Sequence, residues 1–249
     1  MTLRDHLKFT AEPGAKRVRG YCRGRKIVDS IRPLLVFEIP NYPAFYFPRD
    51  DVDMDTLVLT NDVQAAASSL GVADVFSLVV DDLTVTAAAW SYQNSSLPAI
   101  DGLMRFAWDT MDSWFEEDDE VFVHPRSPYV RVDALSSSRH VQIKIDGVLV
   151  ADTHRPTLLF ETDLPTRYYV PKTDVRMELL NETNTISQCP YKGTARYWSV
   201  DTGTRVHKDV VWSYPTPHAE SAKIAGMLAF YDDRVDIFID GVPSHRARL

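Results

Sequence analysis

The sequence predicts a mainly β protein that consists of two tandem copies of one small domain. Three observations support this prediction: an internal repeat at an offset of 123 residues, many short runs of β-branched and aromatic residues bounded by turn residues, and little helical periodicity. With 249 residues, of which 45% are hydrophobic, the chain can bury one large core or two ordinary ones. We therefore expect two β-rich units with a few short helices.

The internal repeat is the strongest of these observations. Residues 17–57 align without a gap with residues 140–180, and fourteen of the 41 aligned pairs are identical. Unrelated segments of ordinary composition would share about two or three. The match resumes later in each copy, where Trp90-Ser91-Tyr92 aligns with Trp212-Ser213-Tyr214.

The repeat also predicts the domain organisation. A polar segment rich in proline and serine, 124–138, interrupts the periodic pattern between the copies. We predict domains at 14–125 and 132–249, and we expect them to pack on each other.

The second copy shows the local signals for strands most clearly. Residues 140–145 alternate with period two, Asp146-Gly147 is typical of a two-residue hairpin turn, and 148–150 continue beyond it, which predicts a β-hairpin. Further short strands are predicted at 158–160, 196–200, 210–214, 227–231 and 235–239. Short helical turns are predicted after Pro171 and at 218–223.

Charge and cysteine content exclude several classes of protein. A net charge of −8 argues against a protein that coats a phosphate backbone, so we expect no nucleic-acid partner. The sequence contains neither a signal-peptide core nor an apolar run long enough to span a bilayer, and we expect a cytoplasmic protein without a membrane partner. Because Cys22 and Cys189 are far apart and outside any CxxC pair, we expect no disulfide framework, no metal and no cofactor. A homo-oligomer is left open.

Four ordered motifs of the second copy resemble a known family. They are Arg-Pro-x-Leu-Leu-Phe-Glu at 155–161, Tyr-Tyr-x-Pro-x-x-Asp-Val at 168–175, Cys-Pro-Tyr-Lys-Gly-x-Ala-x-Tyr-Trp at 189–198 and Ala-x-Tyr-Asp at 229–232. With these motifs the chain resembles the DUF427 family, a domain of unknown function, over nearly its whole length. The resemblance implies a compact, mainly β domain of the β-tent-like type. Relatives with that fold often hold zinc on paired cysteines, which this sequence lacks, so no metal is carried over.

The DUF427 family is sometimes labelled nucleotidyltransferase-like. The sequence offers no support for that label, because it has no glycine-rich phosphate loop, no Gly-Ser followed by paired metal-binding aspartates and no strongly basic segment. Nucleotide transfer is therefore the least favoured functional hypothesis.

Residues that both copies share are expected to serve the fold first. We predict that Arg155 and Glu161 form an ion pair across adjacent strands or a buried network, as do Arg32 and Glu38. The functional alternative is that Arg155 binds a substrate carboxylate or phosphate while Glu161 acts as an acid or base. Asp174 follows Pro171 and is expected to cap a short helix.

Residues that are present only in the second copy point to chemistry. Cys189, Tyr191 and Lys192 align with Ala67, Ser69 and Leu70, so the first copy has no thiol, phenol or ammonium group there. We predict that a turn at Gly193, with a positive φ, places Lys192 near Cys189 and favours the reactive thiolate. Cys189, Lys192 and Glu161 are thus the candidate catalytic residues. The alternative is that Cys189 is a small buried hydrophobic residue and Lys192 is solvated.

Aromatic residues of the second copy could line a ligand pocket. Together with Arg155, the candidate substrate-binding residues are Tyr169, Tyr191, Trp212 and Tyr214, although the same aromatics would also make an ordinary core. The leading hypothesis is a small-molecule-binding protein with one site in the second copy, and whether it is an enzyme stays open. The opposing hypothesis is a non-catalytic binding or scaffold module in which both copies are structural.

Overall fold

The computed structural model of the chain describes residues 9–39, 41–60 and 70–244. The chain divides into two compact units between Ser127 and Pro128, and each consists mainly of β-strands with short 3₁₀ turns. The predicted mainly β fold in two tandem copies is therefore confirmed. None of the helices in the described ranges is long and apolar enough to cross a bilayer.

The first unit contains two sheets. A seven-stranded sheet has the order β1-β4-β5-β9-β8-β7-β6, and a four-stranded sheet has the order β11-β10-β2-β3. The strands are β1 Thr10–Pro13, β2 Val18–Cys22, β3 Arg25–Ser30, β4 Leu34–Ile39, β5 Tyr42–Phe47, β6 Leu57–Thr60, β7 Ala73–Val80, β8 Leu83–Tyr92, β9 Met104–Phe106, β10 Ser113–Glu116 and β11 Asp119–Val121. The 3₁₀ helices are Arg49–Asp51, Met54–Thr56, Pro98–Ile100 and Trp108–Thr110.

The second unit repeats the same order of strands. Its sheets have the orders β12-β15-β16, β14-β13-β21-β22 and β17-β18-β19-β20, and a bridge between Val170 and Leu228 joins the first to the last. The strands are β12 Val132–Ser136, β13 Val141–Ile145, β14 Val148–Thr153, β15 Thr157–Glu161, β16 Arg167–Tyr169, β17 Leu180–Cys189, β18 Gly193–Asp201, β19 Val206–Ser213, β20 Ala229–Phe230, β21 Asp236–Ile239 and β22 Val242–Pro243. The 3₁₀ helices are Lys172–Asp174, Met177–Leu179 and Ala219–Ile224.

The hairpin of β13 and β14 shows how local sequence determines these elements. Val141, Ile143 and Ile145 are buried while the residues between them are half-buried, so one face of the strand enters the core. Asp146 and Gly147 have φ angles of 49° and 78°, which both lie in the left-handed region that a type I′ turn requires. The predicted hairpin is confirmed.

Strand β17 was not predicted from the sequence. Leu180–Cys189 is rich in Asn, Glu, Thr and Ser, and most of its residues are exposed, so it lacks the apolar alternation of a half-buried strand. Its pairing with β18, from Leu180 opposite Val200 to Cys189 opposite Gly193, forms the strand nevertheless. The predicted loop at 189–193 is therefore the tip of a hairpin.

Two hydrophobic clusters form the interior of the second unit. One surrounds the β13–β14 hairpin and includes Val141, Ile143 and Trp198. The other is rich in aromatic residues and contains Tyr169, Tyr197, Trp212 and Tyr214, with Cys189 packed against it. The second cluster holds the candidate site.

Candidate functional site

Glu161 and Lys192 form an ion pair that is almost enclosed in the second unit. Glu161 is the last residue of β15, and Lys192 lies in the tight turn between β17 and β18. Their side chains are only 7% and 10% exposed. Two of the three candidate catalytic residues, 31 positions apart in the chain, are thus in direct contact.

Tyr169 is hydrogen-bonded to Trp212 and is influenced by the charge of Glu161. The Nε1–H group of Trp212 donates a hydrogen bond to the hydroxyl oxygen of Tyr169 at 3.1 Å, and the two rings meet edge to face at 6.4 Å between centroids. Burial raises the pKa of the Tyr169 hydroxyl, and the negative charge of Glu161 raises it further. The phenol is therefore neutral near pH 7, and its hydroxyl can donate a hydrogen bond. We call Glu161, Tyr169, Lys192 and Trp212 the polar centre.

A second ion pair borders the polar centre. Arg167, in β16, pairs with Asp232, and the two side chains are 16% and 15% exposed. The guanidinium carbon of Arg167 lies 5.8 Å from the centroid of the Trp212 ring, within the range of a cation–π contact. Neither residue is among the candidate site residues that the sequence predicts. A signal was available, because Arg167 and Asp232 align with Ala44 and Trp108 of the first copy.

Cys189 and Tyr214 lie in or against the aromatic cluster that contains Tyr169 and Trp212. Cys189 is half-buried at the end of β17, and it packs against the cluster that contains Tyr214. Burial raises the pKa of the Tyr214 hydroxyl, with further contributions from Cys189, Tyr169 and Glu161. The thiol and two phenols are therefore neighbours in this part of the second unit. Activation of Cys189 by Lys192 stays a prediction.

The turn that carries Lys192 has the backbone expected of it. Gly193 has a φ of 97°, a backbone angle that residues other than glycine rarely adopt. The carbonyl oxygen of Lys192 accepts a hydrogen bond from the backbone N–H of His218 at 3.2 Å, which ties the turn to the following segment. Tyr191 is half-buried in the same turn.

Arg155 is not part of the polar centre. Its guanidinium binds Asp174 with a shortest distance of 2.7 Å, and its side chain is 67% exposed. The predicted ion pair between Arg155 and Glu161 is therefore wrong. The two residues lie at opposite ends of the segment 155–161, and because β15 is extended their side chains are far apart. Arg155 therefore pairs with Asp174, and Glu161 pairs with Lys192.

The predicted capping role of Asp174 is also wrong. The helix Lys172–Asp174 has no side-chain hydrogen bond at its N-terminus. The Asp174 carboxylate instead accepts hydrogen bonds from the hydroxyl of Thr153 at 2.7 Å and from Arg155. The contact with Arg155, and to a smaller extent that with Thr153, holds the pKa of Asp174 well below its usual range.

The first unit contains an equivalent polar centre with a different cation. Glu38, the counterpart of Glu161, accepts a hydrogen bond from the hydroxyl of Tyr46 at 2.8 Å and pairs with Arg105 at 2.7 Å. The guanidinium carbon of Arg105 lies 4.4 Å from the centroid of the Trp90 ring. A cavity of about 120 Å³ lies beside Arg105, lined among others by Trp108.

Comparison with known proteins agrees with this twofold architecture. The family model described as "Domain of unknown function (DUF427)" matches residues 10–117 and again residues 133–241. The chain belongs to the DUF427 family. The first matched region contains Glu38 and the second contains Glu161, so each includes the glutamate of its polar centre. The predicted tandem organisation of the family domain is confirmed. No curated protein matches the chain significantly.

Metal donors are found outside the polar centre. In the ranges that the structure describes, the one group of three His, Cys, Asp or Glu side chains close enough to share an ion is His140, Asp152 and His154. The candidate metal residues and the candidate ligand residues are therefore separate sets.

Proposed function

We propose that the second unit binds a small molecule with an anionic group, a carboxylate or a phosphate, at its polar centre and the adjoining Arg167. The observation that carries this proposal is the pair of nearly buried ion pairs, Glu161–Lys192 and Arg167–Asp232. In the first unit the positions of Lys192, Arg167 and Asp232 hold apolar residues.

The energetics of buried charges support a role beyond stability. Removing two charges from water costs several kcal/mol per ion, by order of magnitude, and apolar replacements are often neutral or stabilising. Leu70 occupies the position of Lys192 in the first unit, where Arg105 pairs with the equivalent glutamate, Glu38. The fold therefore does not require the cation at the position of Lys192, and a binding role explains why the second unit has it there.

The side chains suit an anionic ligand with an apolar or planar body. Lys192 and Arg167 are cations whose carboxylate partners a ligand carboxylate or phosphate could replace, and Arg167 could bind such a group through two N–H donors. Trp212 and Tyr214 provide aromatic surface for the remainder of the ligand. Tyr169 could donate a hydrogen bond from its neutral hydroxyl.

The enzyme hypothesis adds a role for Cys189 to this binding site. The thiol of Cys189 would lose its proton to Glu161, the candidate base, and the resulting thiolate would be available as a nucleophile. A rate of alkylation that rises only near the pKa of an ordinary cysteine, about 8.5, would contradict an activated thiol.

A scaffold function is the second candidate. The observation that favours it is the presence of a glutamate, a tyrosine, a tryptophan and a cation in both units. If the two polar centres are purely structural, no small anion should stabilise the protein, and variants of both centres should affect unfolding alone.

The test is a thermal-unfolding screen of the full chain against small carboxylates and phosphates, combined with native mass spectrometry of protein purified from cells. A ligand that binds only the folded state raises the free energy of unfolding by RT ln(1 + [L]/Kd), and the unfolding temperature rises with it. We expect Arg167→Gln and Lys192→Gln to weaken binding at least about tenfold, which corresponds to about 1.4 kcal/mol. Arg155→Gln, which removes an exposed cation outside the centre, is the matched control. Equal binding by all three variants would contradict the proposal.

A further inference from the structure

We propose that the β13–β14 hairpin binds a divalent transition-metal ion, with Zn²⁺ the best fit, through His140, Asp152 and His154. The donor atoms of these three side chains lie within 4.8 Å of one another. Tetrahedral zinc with ligands at about 2.0–2.2 Å requires neighbouring donors about 3.3 Å apart. Small rotations of the three side chains, which are all partly or fully exposed, would therefore close the site.

Strand register brings the three residues to one face of the hairpin. Val141 pairs with Thr153, and both are buried, so the residues on either side of them point outward. His140 precedes Val141, while Asp152 and His154 flank Thr153. The two imidazole rings lie stacked, with centroids 4.1 Å apart and planes 11° from parallel.

The Asp152 carboxylate is already oriented toward the histidines. The Nε2 atom of His140 lies 2.7 Å from Oδ1 of Asp152, and the amide of Gln142 donates a hydrogen bond to Oδ2 at 2.8 Å. Metal-binding carboxylates in proteins are commonly held by such an additional hydrogen bond. Gln142 is therefore inferred to be a positioning residue for the site.

The first unit shows that the fold does not require these histidines. There Arg17 occupies the position of His140 and binds Asp29, the counterpart of Asp152, at 2.6 and 2.7 Å. Ile31, which is 76% exposed, occupies the position of His154. Of the three candidate ligand positions, the two that differ between the units hold His140 and His154 in the second unit. Both imidazoles lie close to the carboxylate of Asp152, the position that the units have in common.

The donor set determines the class of metal. Two imidazole nitrogens and one carboxylate oxygen suit zinc and its neighbours in the first transition series, whereas Mg²⁺ and Ca²⁺ prefer sites made of oxygen alone. Three protein ligands leave a fourth position open to water or another ligand. The expectation of no metal rested on the absence of paired cysteines, which does not bear on a site made of histidines.

The proposal is tested by titrating the chelator-treated full chain with Zn²⁺ in competition with a chromophoric chelator. We expect one high-affinity site per chain, and Co²⁺ should give the visible absorption bands of four-coordinate cobalt. His154→Ile and His140→Arg, which install the residues of the first unit, should each weaken binding by more than about tenfold, and Gln142→Ala by about tenfold. His207→Ala, which alters a histidine bonded to Asp146 at 2.7 Å, should leave the affinity unchanged.

Two outcomes would overturn the proposal. One is that His154→Ile and His140→Arg bind Zn²⁺ as tightly as the parent protein. The other is that His207→Ala lowers the affinity for Zn²⁺ as much as they do, which would indicate adventitious binding to surface histidines. Because both hairpin variants copy residues that the first unit accommodates, their circular dichroism and unfolding temperature should match the parent. Lys192→Gln should bind Zn²⁺ normally, which separates this proposal from that of the anion site.

Discussion

Lys192 forms an ion pair with Glu161, although the equivalent glutamate of the first unit, Glu38, is paired with Arg105. The position of Lys192 holds Leu70 in the first unit, and the position of Arg105 holds Ala229 in the second. The two units therefore neutralise the same carboxylate with cations from different parts of the chain. This exchange shows that the charge of the glutamate needs a partner and that the fold offers two places for it.

The exchange predicts the outcome of a double replacement. Lys192→Leu should destabilise the second unit by about 3–5 kcal/mol, because it leaves Glu161 buried without its cation. Lys192→Leu combined with Ala229→Arg places the cation where the first unit has it, and should recover a substantial part of that loss. The measurement is urea unfolding followed by tryptophan fluorescence. A double variant no more stable than Lys192→Leu would show that the second unit cannot use the alternative position.

The Asp174 carboxylate should make stability depend on pH. Its pKa is lowered in the folded state, mainly by Arg155 and Thr153, so its ionised form stabilises the fold above the pKa of the unfolded chain, about 3.9. This contribution is lost as the pH falls through that value and below.

We therefore expect Asp174→Asn to lower stability by about 1–2 kcal/mol at pH 7, a typical cost for hydrogen bonds to a charged group. The difference from the parent protein should shrink below about pH 4, because the unfolded parent chain then binds a proton that the folded protein takes up only at lower pH. Chemical unfolding at pH 7 and at pH 3 provides the comparison. Arg155→Gln should have a smaller effect, because this arginine is exposed. An undiminished Asp174→Asn effect at pH 3 would contradict the assignment.

Gly193 should tolerate a side chain poorly. A Cβ atom there would make only an ordinary contact, 3.4 Å from the carbonyl oxygen of Thr216, but the φ of 97° disfavours any other residue. Gly193→Ala should cost about 1–3 kcal/mol. Gly71→Ala is the matched control, since Gly71 has a φ of 122° but a Cβ would meet no atom closer than 3.8 Å. Because neither Cβ atom would be crowded, the thermal unfolding of the two variants should show losses of similar size, and a loss at only one of them would contradict backbone strain as the cause.

The two cysteines should differ in reactivity. Cys22 is fully buried, and burial raises the pKa of its thiol, whereas Cys189 is half-buried. The native chain should therefore react rapidly with a thiol reagent such as DTNB at Cys189 alone, with Cys22 following only on unfolding. Cys189→Ser should abolish the rapid phase. A rapid phase that persists in this variant would show that Cys22 is accessible.

Local signals were sufficient to predict much of the fold. The repeat, the abundance of strands and the β13–β14 hairpin follow from period-two alternation and from the Asp146-Gly147 dipeptide, which act over a few residues. The short 3₁₀ turn after Pro171 follows in the same way from the restricted φ of proline. Strand β17 does not follow from such local signals, because its side chains are mostly polar and its backbone hydrogen bonds are made with β18.

The partners of the charged side chains were decided by tertiary structure alone. From the sequence, Glu161 and Arg155 were nearby opposite charges, yet Glu161 binds Lys192 and Arg155 binds Asp174. Which charges meet depends on how strands far apart in the chain lie against each other, and residue spacing contains no such information. The amino-acid sequence thus specified the repeated β architecture through short-range sterics and hydrophobic periodicity. Only the folded arrangement of its strands brought together the polar centre and the two histidines of the hairpin.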